Sequence, residues 1–237
     1  MRTDRPKDAT RKITITRNFT KYAQGSVLCE FGDTRVLCTA MVEERVPAFL
    51  KGSGQGWITA DYSMLPSANS ERKKRDISRL KMDARSTEIQ RLIGRSLRAA
   101  VDMKALGERT IYIDCDVLQA DGGTRVTSIT GGFVALYDAV RELKKAGLIR
   151  TDPIKNFVAA VSVGIVGDQL LCDLCYEEDS NAMMDMNVVM TDAGEFVELQ
   201  ATAEGRSATR KEMGLLTDLA EKAIMEIISK QKEALGI

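Results

Sequence analysis

The sequence predicts an α+β fold in which helices lie on mostly antiparallel sheet. Short strand-like apolar runs come in pairs joined by turns of the Gly-Asp type, which indicates hairpins. Three longer segments carry apolar residues at helical spacing. The elements follow in the order strands, helix, strand, helix, strands, helix, and this grouping favours antiparallel sheets over a regularly alternating parallel one.

The first part of the chain is expected to contain five strands and two helices. The strands are predicted at residues 13–15, 27–31, 35–42, 57–62 and 110–118. The second and third form a hairpin at Gly32-Asp33-Thr34. The helices are predicted at residues 85–103 and 126–145, the former from Ile89, Leu92, Ile93, Leu97 and Ala100.

After a break at Pro153, the sequence predicts two hairpins and a long helix at residues 209–235. The hairpins pair residues 157–166 with 169–175 and residues 186–191 with 195–201. Residues 27–44 and 163–179 share a Gly-Asp corner, a Leu-Cys pair and an acidic end. An internal duplication, with halves of roughly 10–145 and 155–237, or ordinary hairpin chemistry explains this likeness. No Pro- or Ser-rich linker divides the chain, which favours a single domain over residues 1–237.

The composition is that of a protein with a sizeable core. Of 237 residues, 44% are hydrophobic and 29% are charged. Basic and acidic residues number 34 each, so net charge does not indicate a nucleic-acid partner. No apolar run of about eighteen residues and no signal-peptide pattern is present, which disfavours a membrane or secretion. Five cysteines, an odd number, fit a reducing cytoplasm.

The sequence contains no histidine. Ser–His–Asp and Cys–His catalysis, histidine-ligated zinc and imidazole general bases are therefore excluded. Any catalysis must use carboxylates, cations, hydroxyls, thiols or a metal ion. This restriction gives more weight to the charged motifs described next.

The run Asp121-Gly122-Gly123-Thr124-Arg125 lies between a predicted strand and a predicted helix. Two glycines allow a positive-φ turn whose N–H groups approach a ligand. A hydroxyl and a guanidinium follow, and both bind phosphate oxygens. A helix N-terminus at this place also favours an anion. The run predicts a phosphate site, and an ordinary strand-to-helix turn is the alternative.

Two carboxylates follow in the second half. Asp179 comes after a hydrophobic strand, and Asp185 lies just before the next one. Such a pair suits Mg²⁺, which takes few carboxylates and keeps positions for water and phosphate oxygens. The alternative is a solvated acidic loop. A phosphate loop and a carboxylate pair in one histidine-free chain favour phosphoryl transfer, which needs little else.

The pair Cys172 and Cys175 matches C-x-x-C, but strand periodicity places residues three apart on opposite faces. Core or edge cysteines are therefore favoured over a zinc or redox site. Basic residues cluster between positions 72 and 98, including Arg79 and Lys81. Arg91, Arg95 and Arg98 form one helical stripe, interpreted as a solvated or subunit-contacting face. The cluster at residues 72–75 lies in a polar loop suited to an RNA backbone.

Together these motifs resemble the ribonuclease PH family of bacterial phosphate-dependent exoribonucleases. The matching stretches occur in the family's order along nearly the whole chain, at residues 15–17, 25–27, 31–38, 54–57, 88–98, 114–116, 119–125 and 176–190. The resemblance implies a ribosomal protein S5 domain 2-like fold of duplicated strand–helix units. It also implies a homohexameric ring, a trimer of dimers, in the cytoplasm.

The implied activity is 3′→5′ trimming of tRNA precursors and other RNA 3′ ends. Inorganic phosphate attacks the terminal phosphodiester and releases nucleoside diphosphates, in a reversible reaction. By position, Arg85, Gly123, Thr124 and Arg125 match the family's phosphate-binding residues. Asp179 and Asp185 match the family's catalytic carboxylates, which are expected to hold Mg²⁺. Arg72 and Arg75 match basic loop positions linked to the tRNA acceptor end. Ser67 replaces the usual arginine in that loop and weakens the match there.

The sequence leaves two alternatives open. One is a non-catalytic RNA-binding ring subunit of an exosome-like assembly, which is expected to lack the phosphate arginines or the carboxylate pair. The other is a hydrolytic nuclease that uses the same carboxylates with water, and this would leave the phosphate loop unexplained.

Overall fold

The structure is a computed structural model that describes residues 2–75, 78, 80, 83–204 and 206–237. Arg79 and Lys81 of the basic stretch lie outside the described residues. The first sheet has five strands in the order β1-β2-β3-β5-β4, and all neighbours are antiparallel except β4 and β5. The strands are β1 (Ile13–Arg17), β2 (Gly25–Phe31), β3 (Thr34–Glu43), β4 (Trp57–Met64) and β5 (Thr110–Gln119).

The second sheet is antiparallel throughout, in the order β7-β6-β8-β9. Its strands are β6 (Val158–Val166), β7 (Gln169–Cys172), β8 (Ala182–Thr191) and β9 (Phe196–Ala203). The helices are α1 (Ala84–Ala99), α2 (Met103–Leu106), α3 (Thr124–Lys145), α4 (Tyr176–Ser180) and α5 (Arg210–Leu235), with a short 3-10 turn at Ala48–Leu50. The predicted α+β class with mostly antiparallel strands is confirmed.

Helix α3 packs on both sheets. It contacts β2, β3 and β5 on one side and β6 on the other, while α1 and α5 flank it. Apolar residues lie on several sides of this helix, a pattern typical of a buried one, and Ile129, Phe133 and Leu136 are fully buried. Gln231 of α5 donates to the carbonyls of Thr130 and Val158, both at 3.0 Å, and so links α5 to α3 and β6.

Several predicted boundaries differ from the structure. The helix expected over residues 85–103 ends at Ala99, because Val101 forms a bridge with Ile154 and Asp102 caps the separate helix α2. The strand expected at residues 169–175 ends at Cys172, because Asp173 has a φ of 53°, which an extended strand does not accommodate. Asp179 therefore lies in helix α4, and Asp185 lies inside β8 instead of before it.

No helix of the described residues is both long enough and apolar enough to cross a membrane. The possible internal duplication stays a prediction.

The close approach of α3 to β2 gives a stability prediction. A Cβ at Gly131 would lie 2.6 Å from Cys29 Cβ and 2.9 Å from Cys38 Sγ. Gly131→Ala is therefore expected to lower the free energy of unfolding by about 1–3 kcal/mol, measured by urea denaturation. Gly214 of α5 has no neighbouring atom within 4 Å, so Gly214→Ala should raise stability by about 0.5–1 kcal/mol. Similar effects of the two substitutions would contradict this packing.

Candidate active site at the N-terminus of helix α3

The loop between β5 and α3 presents the start of a long buried helix. Gly122 and Gly123 have φ values of 73° and 69°, which glycine adopts without a steric penalty. Gly123 is the N-cap of α3, and no side chain caps the first amides of the helix. Uncapped amides at a helix N-terminus form an anion-binding site. The structure thus places Gly123 and Thr124 at an uncapped helix N-terminus, as a phosphate site there would require.

The loop is in close contact with the segment that leads into α4. A Cβ at Gly122 would lie 2.6 Å from the carbonyl oxygen of Leu174 and 2.7 Å from the amide nitrogen of Tyr176. That amide also donates to Asp121 Oδ1 at 3.3 Å. Gly122 therefore allows the two halves of the chain to meet backbone to backbone, and any larger residue would separate them.

Two side chains from the start of the chain hold the loop. Thr34 Oγ1 donates to the carbonyl of Gly122 at 2.6 Å and accepts from the amide of Asp121 at 2.9 Å. The guanidinium of Arg11 donates to the carbonyl of Asp121. The conformation of the loop is thus fixed by residues distant in sequence as well as by its own glycines.

A buried tyrosine lies beneath the loop. The hydroxyl groups of Tyr62 and Thr124 are 2.8 Å apart. Burial raises the pKa of Tyr62 above its ordinary value, while Thr124, Arg85 and Arg125 act to lower it. Tyr62 is therefore a neutral hydroxyl at pH 7. The charges of Arg85 and Arg125, the two predicted phosphate arginines, both act on the Tyr62 hydroxyl.

Arg125 is oriented by side chains from two other elements. Its Nη1 donates to Gln200 Oε1 of β9 at 2.7 Å and lies 3.6 Å from Glu88 Oε1 of α1. Gln200 Nε2 in turn donates to Glu88 Oε1 at 3.1 Å. This arrangement directs the guanidinium without a tight bidentate ion pair, so donors remain for an incoming anion. Arg85, in the first turn of α1, is exposed.

The two predicted carboxylates interact with each other. Burial raises the pKa of Asp185 above its ordinary value, the nearby Asp179 raises it further, and Arg125 lowers it. Asp185 is half-buried on β8 and Asp179 is exposed on α4. No ion pair among the described residues includes either of them. The carboxylate pair thus has no ion-pair partner among the described residues, and the charge of Arg125 acts on Asp185.

The two carboxylates fit Mg²⁺ better than a metal whose ligands all come from the protein. The described residues contain no group of three or more histidine, cysteine or acidic side chains arranged to hold a metal. Mg²⁺ is commonly held by one or two carboxylates, with waters and substrate phosphates as the remaining ligands. Asp179 and Asp185 supply two such carboxylates.

The loop that carries the basic cluster at residues 72–75 begins beside the candidate site. The amide of Leu65 donates to the carbonyl of Val117, and the amide of Ala120 donates to the carbonyl of Ala68. These bonds anchor the start of the loop next to the end of β5. Arg72 and Arg75 are exposed further along, and among the described residues neither forms a hydrogen bond or an ion pair with the phosphate loop.

A cavity of about 1130 Å³ borders the loop at Asp121. Arg2, Arg5, Arg11 and Asp121 are among its lining residues, whereas Arg125 and Asp185 are not. Because the convergent arginines and carboxylates lie outside it, this cavity is not the candidate active site.

The C-x-x-C cysteines do not form a site. Burial raises the pKa of Cys172 to about 12 and also raises the pKa of Cys175. Both are free thiols, and the strand ends between them. High thiol pKa values keep them protonated and unreactive at neutral pH.

Five residues of the site were not identified from the sequence: Arg11, Thr34, Tyr62, Asp173 and Gln200. Asp173 gave one usable signal, because a charged residue inside an apolar run requires a buried partner. The others depend on contacts across 62 to 162 positions, which local patterns do not report.

The sequence profile of the 3′ exoribonuclease family, domain 1, matches residues 9–142, and the profile of domain 2 of the same family matches residues 156–223. The chain belongs to the 3′ exoribonuclease family. The loop, its arginines and most of α3 lie in the first match, and both carboxylates lie in the second.

Solved structures show the same fold as this 3′ exoribonuclease family member. A chain of the Archaeoglobus fulgidus exosome with RNA bound to the active site has a TM-score of 0.81 at 23% identity, covering 95% of this chain and 90% of that one. Rice (Oryza sativa) Rrp46 has a TM-score of 0.79 at 16% identity, covering 98% of each chain. An archaeal exosome core chain has a TM-score of 0.76 at 22% identity, covering 96% and 89%. The ribonuclease PH-like fold expected from the sequence is confirmed.

The carboxylate pair gives a pKa prediction for this family member. Because Asp179 raises the pKa of Asp185, Asp179→Asn is expected to move that pKa down toward the ordinary aspartate value. The carboxyl ¹³C shift of Asp185, followed by NMR over a pH titration, measures the change. Asp218→Asn, which removes an exposed carboxylate on α5, is the control and should leave Asp185 unchanged. An unaltered Asp185 titration in Asp179→Asn would show that the two carboxylates do not interact.

Proposed function

We propose that this chain is a phosphorolytic 3′→5′ exoribonuclease. It trims the 3′ ends of tRNA precursors and other structured RNA, using inorganic phosphate and releasing nucleoside diphosphates. The proposal rests on one observation. The uncapped N-terminus of α3 carries Arg125, and the charge of Arg125 acts on the pair formed by Asp179 and Asp185. An anion cradle opposite a carboxylate pair supplies the parts that phosphoryl transfer uses.

The cradle holds the nucleophile. Arg85, Arg125 and the amides of Gly123 and Thr124 bind inorganic phosphate and orient one of its oxygens toward the terminal phosphorus. That oxygen forms a bond to phosphorus as the bond to the 3′ oxygen of the preceding nucleotide breaks. Phosphate is already an anion at neutral pH, so no histidine base is required, in agreement with the absence of histidine.

Asp179 and Asp185 act on the other side of the scissile bond. They would hold Mg²⁺, which supplies neutralisation of the reacting phosphates and of the departing 3′ oxygen. Asp185 is placed by the register of β8 with β6 and β9, so its position does not depend on a loop. Tyr62 stays neutral, and its hydrogen bond to the Thr124 hydroxyl holds the side chain of the first residue of α3 in place.

RNA recognition is assigned to the exposed basic loop. Arg72 and Arg75 bind the phosphate backbone of the tRNA acceptor end, a contact that does not depend on base sequence. The similar Archaeoglobus fulgidus structure has RNA at the active site of an exosome, and this supports RNA as the substrate class. A homohexameric ring made of dimers is the proposed assembly.

A non-catalytic RNA-binding subunit is the second candidate, since exosome chains share this fold. Such a subunit is expected to lack part of the phosphate or carboxylate set. Arg85, Arg125, Asp179 and Asp185 are all present here, which favours an enzyme.

The direct test is a degradation assay on a 3′-extended tRNA precursor with Mg²⁺, with and without inorganic phosphate. Phosphorolysis predicts nucleoside diphosphates that form only when phosphate is added. Nucleoside monophosphates without phosphate would identify a hydrolase, and RNA binding without products would identify the non-catalytic subunit. Either result would refute the proposal.

Arg125→Ala is expected to raise the KM for phosphate by roughly tenfold or more, because a charge-assisted contact to the anion is lost. RNA affinity, measured by fluorescence anisotropy, should stay within about twofold, since Arg125 does not serve RNA binding in this proposal. Arg45→Ala, which removes an exposed arginine paired with Glu43, is the matched control and should change neither quantity. An equal loss of RNA affinity in Arg125→Ala would show that this arginine contacts RNA.

A further inference from the structure

Arg11 is a buried arginine that the proposed chemistry does not use. Its side chain is 6% exposed, and it lies two residues before β1. Its guanidinium forms a two-point ion pair with Asp173, with Nε 3.0 Å from Oδ2 and Nη2 2.8 Å from Oδ1. The backbone amide of Arg11 also donates to Asp173 Oδ2, at 2.7 Å. Asp173 is fully buried, so each charge depends on the other for compensation.

The same guanidinium also binds the phosphate loop. Nη1 donates to the carbonyl of Asp121 and lies 3.6 Å from that residue's carboxylate, while Nη2 lies 3.4 Å from the carbonyls of Gly122 and Leu174. A Cβ at Gly123 would be 3.1 Å from Nη2, which shows how closely the loop approaches the arginine. Arg11 therefore contacts both the loop and the segment leading to α4.

This contact determines which way the loop amides point. In a planar trans peptide the C=O and the following N–H point in opposite directions. Carbonyls of Asp121 and Gly122 that are directed at Arg11 therefore direct the N–H groups of Gly122 and Gly123 away from it. Thr34 donates to the same Gly122 carbonyl and strengthens this orientation.

We propose that Arg11, held in place by Asp173, is a positioning residue for phosphate. It orients the amides of the phosphate loop and fixes the loop's separation from the segment that carries Asp179. The inference rests on the proposed function for its kinetic consequences, but its effect on phosphate binding does not require catalysis.

Lysine keeps the charge of Arg11 but lacks the planar fork that reaches Asp173 and two carbonyls together. Arg11→Lys is therefore expected to raise the KM for phosphate by roughly tenfold, with kcat at saturating phosphate and RNA affinity within about twofold of the original protein. A purely structural role would reduce the folded fraction and lower kcat instead.

Arg17→Lys is the matched control. Arg17 forms a similar two-point pair with Asp138, at 2.8 and 2.5 Å, and donates to the carbonyl of Ala234 at 3.0 Å. That pair joins β1 to α3 and α5 without contacting the loop. Arg17→Lys should lose stability, measured by urea denaturation, and keep the original KM for phosphate. If both variants change the KM equally, Arg11 is a structural residue and the positioning role is refuted.

A second variant keeps the test informative if Arg11→Lys does not fold. Thr34→Val removes both the donor to the Gly122 carbonyl and the acceptor of the Asp121 amide, while it leaves the Arg11–Asp173 pair intact. It should weaken phosphate binding in the same direction. Isothermal calorimetry with inorganic phosphate alone measures this without RNA. An unchanged Kd for phosphate in Thr34→Val would refute the role of the carbonyl orientation. If the original protein releases no diphosphates, the proposed function fails, and calorimetry on the Arg11→Lys and Arg17→Lys pair still decides the positioning role.

Discussion

Burial of helix α3 between two sheets is the constraint on which the rest of the structure depends. The helix contacts β2, β3 and β5 on one side and β6 on the other, so both sheets pack against the same helix. Its N-terminus consequently lies where loops of both halves of the chain meet. The uncapped amides, Arg125 and the carboxylate-bearing segment therefore lie together because of how this one helix is packed. Substitutions deep in the helix interface should act on the site through this packing.

The charges of the site suit the proposed binding of phosphate and Mg²⁺ together. Gln200 and Glu88 orient Arg125 without neutralising it in a tight ion pair. Burial and the nearby Asp179 both raise the pKa of Asp185. Neither Arg125 nor the carboxylate pair is fully balanced by opposite charges of the protein. Phosphate on one side and Mg²⁺ on the other would complete the compensation, and the reacting phosphodiester lies between them in the proposed complex.

Local sequence patterns predicted most of the elements, because hairpin turns and helical periodicity are short-range properties. The hairpins at Gly32-Asp33 and Gly167-Asp168 and the long helices lie within a few residues of their predicted bounds. Helix α4 was missed because five residues carry no periodicity, and the end of β7 was missed because it depends on the positive φ of Asp173. The Arg11–Asp173 pair joins positions 162 apart, so only the folded chain brings these residues together.

The most direct test of the account follows the fate of phosphate itself. The protein is incubated with Mg²⁺, a 3′-extended tRNA precursor and ³²P-labelled inorganic phosphate, and the mononucleotide products are separated. Phosphorolysis predicts label in the β-phosphate of nucleoside diphosphates, in a one-to-one ratio with the nucleotides released. Release of unlabelled monophosphates would contradict it, because water and not phosphate would then be the nucleophile.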